Sequence, residues 1–199
     1  MILAKIKDID LKFETEPSFF SPKLIDHGTL AMLSVVDFLP DDRVLDLGCG
    51  YGVVGILAAK LIGEENVFMC DISEQAVEYT KINAALNGVP NIKIRLSDGY
   101  KNIAEGDFNL ILSNPPYHVD FSVPKNFIEL GFRKLAVGGK LVMVAKRHDW
   151  YKNKLTSVFG GVKVQNVDGY YVFIAEKRSQ FRKKKTKPAK GLSKKLKRK

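Results

Sequence analysis

Short apolar runs alternate with stretches of helical periodicity through the middle of the chain, and this alternation constrains the fold more than any other feature. The pattern predicts strands at residues 43–47, 66–70, 92–96, 108–112 and 140–145, and helices at residues 53–61, 73–86 and 125–135. Strands that are separated by helices form parallel sheets, because the chain must cross over the sheet between them. The sequence therefore predicts a doubly wound α/β fold with helices on both faces of the sheet.

The flanking segments are less regular. Residues 2–13 alternate between apolar and polar side chains and predict a short hairpin or a cover for the sheet. Residues 23–39 predict a helix that ends before Pro40, and the pair Gly138 and Gly139 predicts a turn. The remaining predicted elements are a helix at residues 150–159 and a hairpin of strands 162–167 and 170–176, joined by Asp168 and Gly169.

The positive charge is concentrated at the carboxyl end of the chain. The formal net charge is +10, but residues 178–199 contain 12 Lys and Arg and no Asp or Glu, which leaves 20 basic and 22 acidic residues at positions 1–177. A segment of like charge with few apolar residues is expected to be disordered when free. We expect this basic tail to bind phosphates through counterion release, with a plain solubilising terminus as the alternative.

Composition excludes several other classes of protein. A chain of 199 residues that is 45% hydrophobic suits one globular domain. No run approaches the roughly 18 apolar residues of a membrane span, and the first residues lack the layout of a secretory signal, so we expect a cytoplasmic protein without a membrane partner. Cys49 and Cys70 lack metal-binding spacing, so we expect reduced thiols and no metal site.

A glycine-rich turn follows the first predicted central strand. Gly48 and Gly50 allow the backbone to approach a ligand at the carboxyl ends of the strands. Asp71 ends the next strand, where a carboxylate accepts hydrogen bonds from ribose hydroxyls, and Asp98 follows the third. Each aspartate taken alone is more typical of a helix cap or a turn. Three aspartates at successive strand ends, with Asp46 as the first, favour a nucleotide cofactor.

Asp46 distinguishes between two such cofactors. A carboxylate directly before the glycine turn repels the pyrophosphate of NAD, whereas it orients the cationic amino acid portion of S-adenosyl-L-methionine, directly or through water. S-adenosyl-L-methionine is therefore the predicted cofactor. The residues predicted to bind it from these strand ends are Asp46, Gly48, Gly50, Asp71, Ile72 and Asp98.

The sequence Asn114, Pro115, Pro116 and Tyr117 directly follows the strand at residues 108–113. Each proline fixes its own φ and biases the preceding residue away from helix, so the segment is rigid and extended. The Asn114 side-chain oxygen and the Pro115 carbonyl are placed to accept the two hydrogens of a planar amino group, and Tyr117 to stack on its plane. We predict these four residues as catalytic, although an Asn-Pro pair is also typical of a plain turn.

These two motifs make the chain similar to the class I S-adenosylmethionine-dependent methyltransferases, in the amino-methyltransferase group with an NPPY signature. Residues 20–29 resemble the F-S-x-x-x-x-D-x-G-T stretch of the ribosomal small-subunit guanine-N2 methyltransferases. In that family the stretch lies near the methionine end of the cofactor, which implies that Asp26, Gly28 and Thr29, with Asn114, also bind the cofactor.

The same resemblance implies guanine N2 of small-subunit rRNA as the acceptor, and hence RNA or a ribosomal subunit as the partner. It implies a Rossmann-like sheet of seven strands, mostly parallel, with an antiparallel C-terminal hairpin. The expected division is an N-terminal extension at residues 1–19, a methyltransferase domain at residues 20–177 and the basic disordered tail at residues 178–199. Some members carry two tandem copies of this domain, whereas this chain has one.

Other functions remain open on the sequence alone. The same chemistry serves tRNA adenine N6 and the glutamine amide of a release factor, because both present planar amino groups. A nicotinamide dehydrogenase explains the glycine turn and Asp71 but leaves the Asn114 motif without a role. A noncatalytic RNA-binding module explains the basic tail but needs no intact acceptor motif. The oligomeric state is not predicted.

Overall fold

The computed structural model describes residues 1–19, 21–116 and 120–180. Its strands are β1 (Ile2–Ile6), β2 (Ile9–Phe13), β3 (Val44–Leu47), β4 (Val67–Asp71), β5 (Lys93–Leu96), β6 (Phe108–Ser113), β7 (Leu135–Ala145), β8 (Lys163–Val167) and β9 (Tyr170–Glu176). Its helices are α1 (His27–Val35), α2 (Val53–Ile62), α3 (Glu74–Leu86), α4 (Ser122–Lys134) and α5 (His148–Phe159), and one 3₁₀ turn covers Glu64–Asn66.

Seven strands form one sheet in the order β5-β4-β3-β6-β7-β9-β8. The five strands from β5 to β7 run parallel to one another, and β9 lies antiparallel between β7 and β8. The predicted seven-stranded, mostly parallel sheet with an antiparallel C-terminal hairpin is thus confirmed. The chain moves outward from β3 to β5 and then returns to place β6 on the other side of β3, and such a reversal opens a crevice at the carboxyl ends of the strands.

The sheet is covered on both faces, which explains why its central strands are continuously apolar. Within β3, Val44 belongs to one core while Leu45 and Leu47 belong to the other. The β1–β2 hairpin and helices α1, α2 and α3 contribute to the first core, and α4 and α5 contribute to the second. Strand alternation therefore distributes neighbouring residues between two hydrophobic layers.

The N-terminal segment forms the predicted hairpin, with β1 paired antiparallel to β2, and it packs into the first core through Leu11 and Phe13. Two buried asparagines, Asn83 on α3 and Asn87 at its C-cap, bind the backbone around the end of β2. Asn87 exchanges two hydrogen bonds with the backbone of Lys12, and Asn83 exchanges two with the backbone of Glu14. These contacts fix the backbone at residues 12 and 14 against the end of α3.

Several boundaries of the helices and strands differ from prediction. Helix α1 begins at His27, not residue 23, because Asp26 caps it by accepting a hydrogen bond from Thr29 N at 2.8 Å, and it ends at Val35 because Val36 is extended. Helix α4 begins at Ser122 rather than residue 125, since a proline is tolerated in a first helical turn. Within the described ranges, no helix is both long and apolar enough to cross a membrane.

The predicted turn at Gly138 and Gly139 is wrong, because β7 continues through both glycines with a shift in its pairing to β6. The backbone groups find partners beyond β9: Gly138 N donates to the Lys177 carbonyl at 2.8 Å, and Lys177 N donates to the Gly139 carbonyl at 2.9 Å. A β-carbon at Gly139 would lie 2.6 Å from the Phe108 carbonyl oxygen. Close packing against β6, rather than a reversal of the chain, explains this glycine.

Candidate functional site

A cavity of about 360 Å³ lies at the carboxyl ends of β3, β4 and β6, at the point where the strand order reverses. Most of the residues predicted from the sequence to bind cofactor or acceptor line it: Asp26, Thr29, Asp46, Gly48, Gly50, Asp71, Ile72, Asp98, Asn114, Pro115 and Pro116. Gly28 is the exception, since it is buried in the first turn of α1 and is not part of the lining. Tyr117, Phe20 and the tail from residue 181 lie outside the described residues.

The glycine loop between β3 and α2 forms the floor of the cavity. Its start is tied to the neighbouring strand, because the backbone N–H groups of Gly48 and Cys49 both donate to the Cys70 carbonyl, at 2.9 and 3.0 Å. Gly48 and Gly50 have φ values of 78° and 56°, a region that side chains disfavour. No atom lies within 4 Å of a β-carbon built at either glycine. The loop therefore leaves open space against its backbone, as a closely bound ligand requires.

Asp46 lies beneath this loop and is only 2% exposed. Its carboxylate accepts a hydrogen bond from Gly55 N at 2.9 Å, which ties β3 to the first turn of α2. Burial raises the pKa of Asp46 from 3.8 to about 7, although the hydrogen bond from Gly55 acts in the opposite direction. A cation in the cavity would therefore stabilise the ionised carboxylate strongly.

Asp71 stands at the end of β4 and fixes the shape of the loop opposite it. One carboxylate oxygen accepts a hydrogen bond from Gly50 N at 2.9 Å, and the other accepts one from Ser73 N at 3.0 Å. An ionised carboxylate has about four acceptor positions, so two remain for a diol. Ile72, which is 68% exposed, and Asp98, which pairs with Lys101 at 2.6 Å, complete this wall.

Two hydrogen bonds fix the side chain of Asn114 at the cavity. Its Nδ2 donates to Asp26 Oδ2 at 2.7 Å and to Thr29 Oγ1 at 3.0 Å. An ionised carboxylate only accepts hydrogen bonds, so Asp26 determines which way the amide is turned. Asn114 Oδ1 is consequently left buried and without a hydrogen-bond partner among the described residues. Such a group is destabilising unless something else donates to it, which indicates a ligand with an N–H or O–H donor.

Sequence reasoning missed the residues that support the glycine loop from α3. Thr80 Oγ1 donates to the Gly50 carbonyl at 2.7 Å, and Asn83 Nδ2 donates to the Tyr51 carbonyl at 2.8 Å. Both side chains are fully buried. Thr80, Asn83 and the C-cap residue Asn87 are spaced by three and four residues, as on one face of a helix. Three polar residues on this buried face were the sequence signal that could have identified the support of the glycine loop.

The prolines and the hydrophobic wall complete the cavity. Pro115 is buried while Pro116 is exposed, and Phe19, Val123 and Phe127 contribute apolar surface that the sequence did not indicate. The two cysteines are free and buried, and burial raises the pKa of Cys70 to about 12 and that of Cys49 well above its ordinary value. Both thiols are therefore poor nucleophiles. Within the part of the chain that the structure describes, no cluster of three or more metal-ligating side chains occurs.

Known proteins of similar sequence match most of this chain. The uncharacterized protein YbxB of Bacillus subtilis is 31% identical over 179 residues, which are 87% of this chain and 89% of that protein. The ribosomal RNA small subunit methyltransferase C of Serratia proteamaculans is 32% identical over 166 residues, 81% of this chain but 47% of that protein. The chain thus spans about half the length of the methyltransferase C relatives that it matches.

A solved structure supports the same relationship. The 16S rRNA N2 methyltransferase of T. thermophilus, in complex with AdoMet and guanosine, matches with a TM-score of 0.82 at 26% identity, over 89% of this chain and 50% of that one. The model of the methyltransferase small domain family matches residues 10–174. That range contains all but the first residue of β2, every residue that lines the cavity and nearly all of the sheet. The chain therefore belongs to the methyltransferase small domain family.

Proposed function

We propose that this protein is an S-adenosylmethionine-dependent N-methyltransferase that acts on an exocyclic amino group in RNA, namely guanine N2 of small-subunit rRNA. One observation carries the proposal. Asn114 lines the cavity, and its Oδ1 is buried with no partner among the described residues, while its Nδ2 is held by Asp26 and Thr29. A hydrogen-bond acceptor fixed in this way suits an amino group that must be bound through its N–H.

The part of the cavity formed by the glycine loop and Asp71 fits the proposed cofactor. The open space over Gly48 and Gly50 admits a ligand against the backbone, and Asp71 retains acceptor capacity for the two ribose hydroxyls. Asp46, whose carboxylate is destabilised by burial, is suited to a positively charged amino acid portion. When bound, S-adenosyl-L-methionine supplies an electrophilic methyl group on a positively charged sulfur.

The acceptor side is arranged to position an amine. Asn114 Oδ1 and the Pro115 carbonyl each accept one N–H, which turns the nitrogen lone pair toward the methyl group. The donation from Asn114 Nδ2 to the Asp26 carboxylate polarises the amide and makes Oδ1 a stronger acceptor. With S-adenosyl-L-methionine bound, the acceptor nitrogen would bond to the methyl carbon as the carbon–sulfur bond breaks, the sulfur would leave as a neutral thioether, and the nitrogen would then release a proton to water. Strong general-base catalysis is unnecessary before attack.

The proposed RNA substrate and guanine acceptor are supported by the relatives and by the basic tail, not by the geometry of the cavity. The methyltransferase C relatives and the T. thermophilus structure are named for small-subunit rRNA, and the latter holds guanosine. The 12 basic residues at positions 178–199 would add phosphate contacts, in the manner of a positively charged arm. Within this proposal residues 20–177 make up the catalytic domain, and the protein acts in the cytoplasm, where ribosomal subunits are found.

The test is transfer of labelled methyl groups to separate pools of rRNA, tRNA and release factor, followed by mass spectrometry of the nucleosides. We expect label in small-subunit rRNA as N2-methylguanosine. Asn114→Ala should lose at least about 100-fold in turnover, in keeping with loss of a positioning interaction, while calorimetry still detects cofactor binding. Methyladenosine in tRNA, or label only in release factor, would replace the assignment by one of those acceptors.

Asp26→Asn provides a matched variant because it removes the charge but preserves the shape. An amide at this position can present its own N–H groups to Asn114, so Asn114 no longer has a fixed orientation. We expect a loss of turnover comparable to that of Asn114→Ala, with the fold retained by circular dichroism. Full activity in both variants would disprove the proposed role of the amide.

A further inference from the structure

A second group of side chains lies at the same edge of the sheet as the cavity, beside β7 and β9. Strand β7 runs parallel to β6, with Met143 opposite Ser113. Lys146 and Arg147, which follow β7, therefore lie at the same edge of the sheet as Asn114, which follows β6, and neighbouring strands are about 5 Å apart. Strand β9 begins at the same edge, with Tyr171 opposite Ala145. The cofactor cavity occupies the β3–β4 half, and this group occupies the other half.

Cations and aromatic rings alternate in this group. The Arg147 guanidinium lies 5.0 Å from the centre of the Phe121 ring, and Phe121 stacks on Trp150 with ring centres 4.5 Å apart and planes 28° apart. The Lys146 ammonium lies 5.1 Å from the centre of the Tyr170 ring. We call Phe121, Lys146, Arg147, Trp150 and Tyr170 the aromatic platform. Its two cations are exposed and its three rings are partly exposed.

Two acidic residues adjacent in sequence to the platform, Asp120 and Asp149, each have a hydrogen-bond partner. Asp149 contacts the His148 ring at 2.8 Å, and Asp120 accepts a hydrogen bond from Ser122 N at 2.7 Å. The platform adjoins the cavity through Phe121, because Val123, two residues further along the chain, belongs to the cavity lining. A ligand that emerges from the cavity past α4 therefore meets the platform next.

This pattern suits unpaired nucleotides. Bases of single strands stack on aromatic rings and guanidinium planes, whereas bases in a duplex are hidden in their own stack. An amino group of guanine also becomes accessible to a cavity only when the base leaves its stack. We propose that the aromatic platform binds the unpaired nucleotide adjacent to the target base, with its base against the rings and Arg147 and its phosphate near Lys146. The inference rests on the proposed RNA substrate and adds to it a single-stranded target.

Trp150 makes the inference directly measurable because it is the chain's only tryptophan. The full-length protein is titrated with a short guanine-containing single-stranded RNA, and then with the same strand in a duplex, while tryptophan fluorescence is followed. We expect quenching by the single strand and none by the duplex. Because residues 178–199 also attract phosphates, the measurement is the fluorescence of Trp150 rather than total bound RNA.

Arg147→Ala should weaken the binding that quenches Trp150 roughly 5- to 150-fold, the range for loss of one stacking contact. Lys93→Ala is the matched control. Lys93 lies at the start of β5, away from this edge, and its ammonium is 4.6 Å from the centre of the Phe68 ring on β4. We expect wild-type binding for this control. Both variants should bind cofactor normally in calorimetry.

The outcomes separate this inference from the proposed function. Equal affinity of wild type and Arg147→Ala, or equal quenching by duplex and single strand, overturns the platform even if rRNA is methylated. Quenching by single strands with the expected Arg147 effect supports the platform even if no RNA accepts a methyl group, in which case the proposed function fails alone.

Discussion

Replacement of Asp46 by asparagine should remove a large pH dependence from the stability of the protein. Burial raises the pKa of this carboxyl from 3.8 to about 7. Between these two values the folded chain holds a proton that the unfolded chain has released, so the free energy of unfolding falls as pH rises through this window, and the full loss is present above it. A shift of about three units corresponds to about 4 kcal/mol, of which about 3 kcal/mol develops between pH 5 and pH 8.

The assay is urea denaturation of wild type and Asp46→Asn at several pH values from about 5 to 8. Asparagine keeps an oxygen for the hydrogen bond from Gly55, and its added amide hydrogens change stability by an amount that does not vary with pH. The free energy of unfolding of wild type, relative to the variant, should therefore fall by about 3 kcal/mol across this range. A constant difference would refute the reasoning, since all other ionisable groups are shared.

Saturation with S-adenosyl-L-methionine extends the same measurement. A cationic group beside Asp46 lowers the pKa of the carboxyl in the folded state and should flatten the pH dependence of wild type. An unchanged slope in the presence of bound cofactor would place the cationic group elsewhere in the cavity.

Three further predictions concern stability and binding. Asn83→Ala should reduce the free energy of unfolding by about 3 kcal/mol, because the backbones of Glu14 and Tyr51 lose buried partners; a loss below about 1 kcal/mol in urea denaturation contradicts this. Gly139→Ala should destabilise by more than about 2 kcal/mol, or prevent folding, because the new methyl group would lie 2.6 Å from a carbonyl oxygen of β6; an unchanged unfolding midpoint contradicts the observed packing. Gly50→Ala should reduce stability by about 1 to 2 kcal/mol because its φ is 56°, and calorimetry should show a larger fractional loss of cofactor affinity, since the methyl group enters the cavity.

Local sequence patterns were sufficient for much of the fold. Helix α3 was predicted from its Ser73 cap and its end at residue 86, and the β8–β9 hairpin from Asp168 and Gly169, which both have positive φ. These features depend on neighbours in sequence, which is why they are readable there. The turn at Gly138 was predicted wrongly, because its partner, the Lys177 carbonyl, lies 39 residues away.

The order of strands and helices along the chain, the glycine loop and the Asn114 motif were predictable from sequence, because periodicity and backbone restrictions are properties of short segments. The chemistry of the individual side chains, in contrast, depends on how the chain folds. The burial of Asp46 sets its pKa, and Asp26, 88 residues from Asn114, turns the amide so that its oxygen is left without a partner among the described residues. Burial and hydrogen-bond direction depend on which distant segments pack together, so a pattern along the chain cannot specify them.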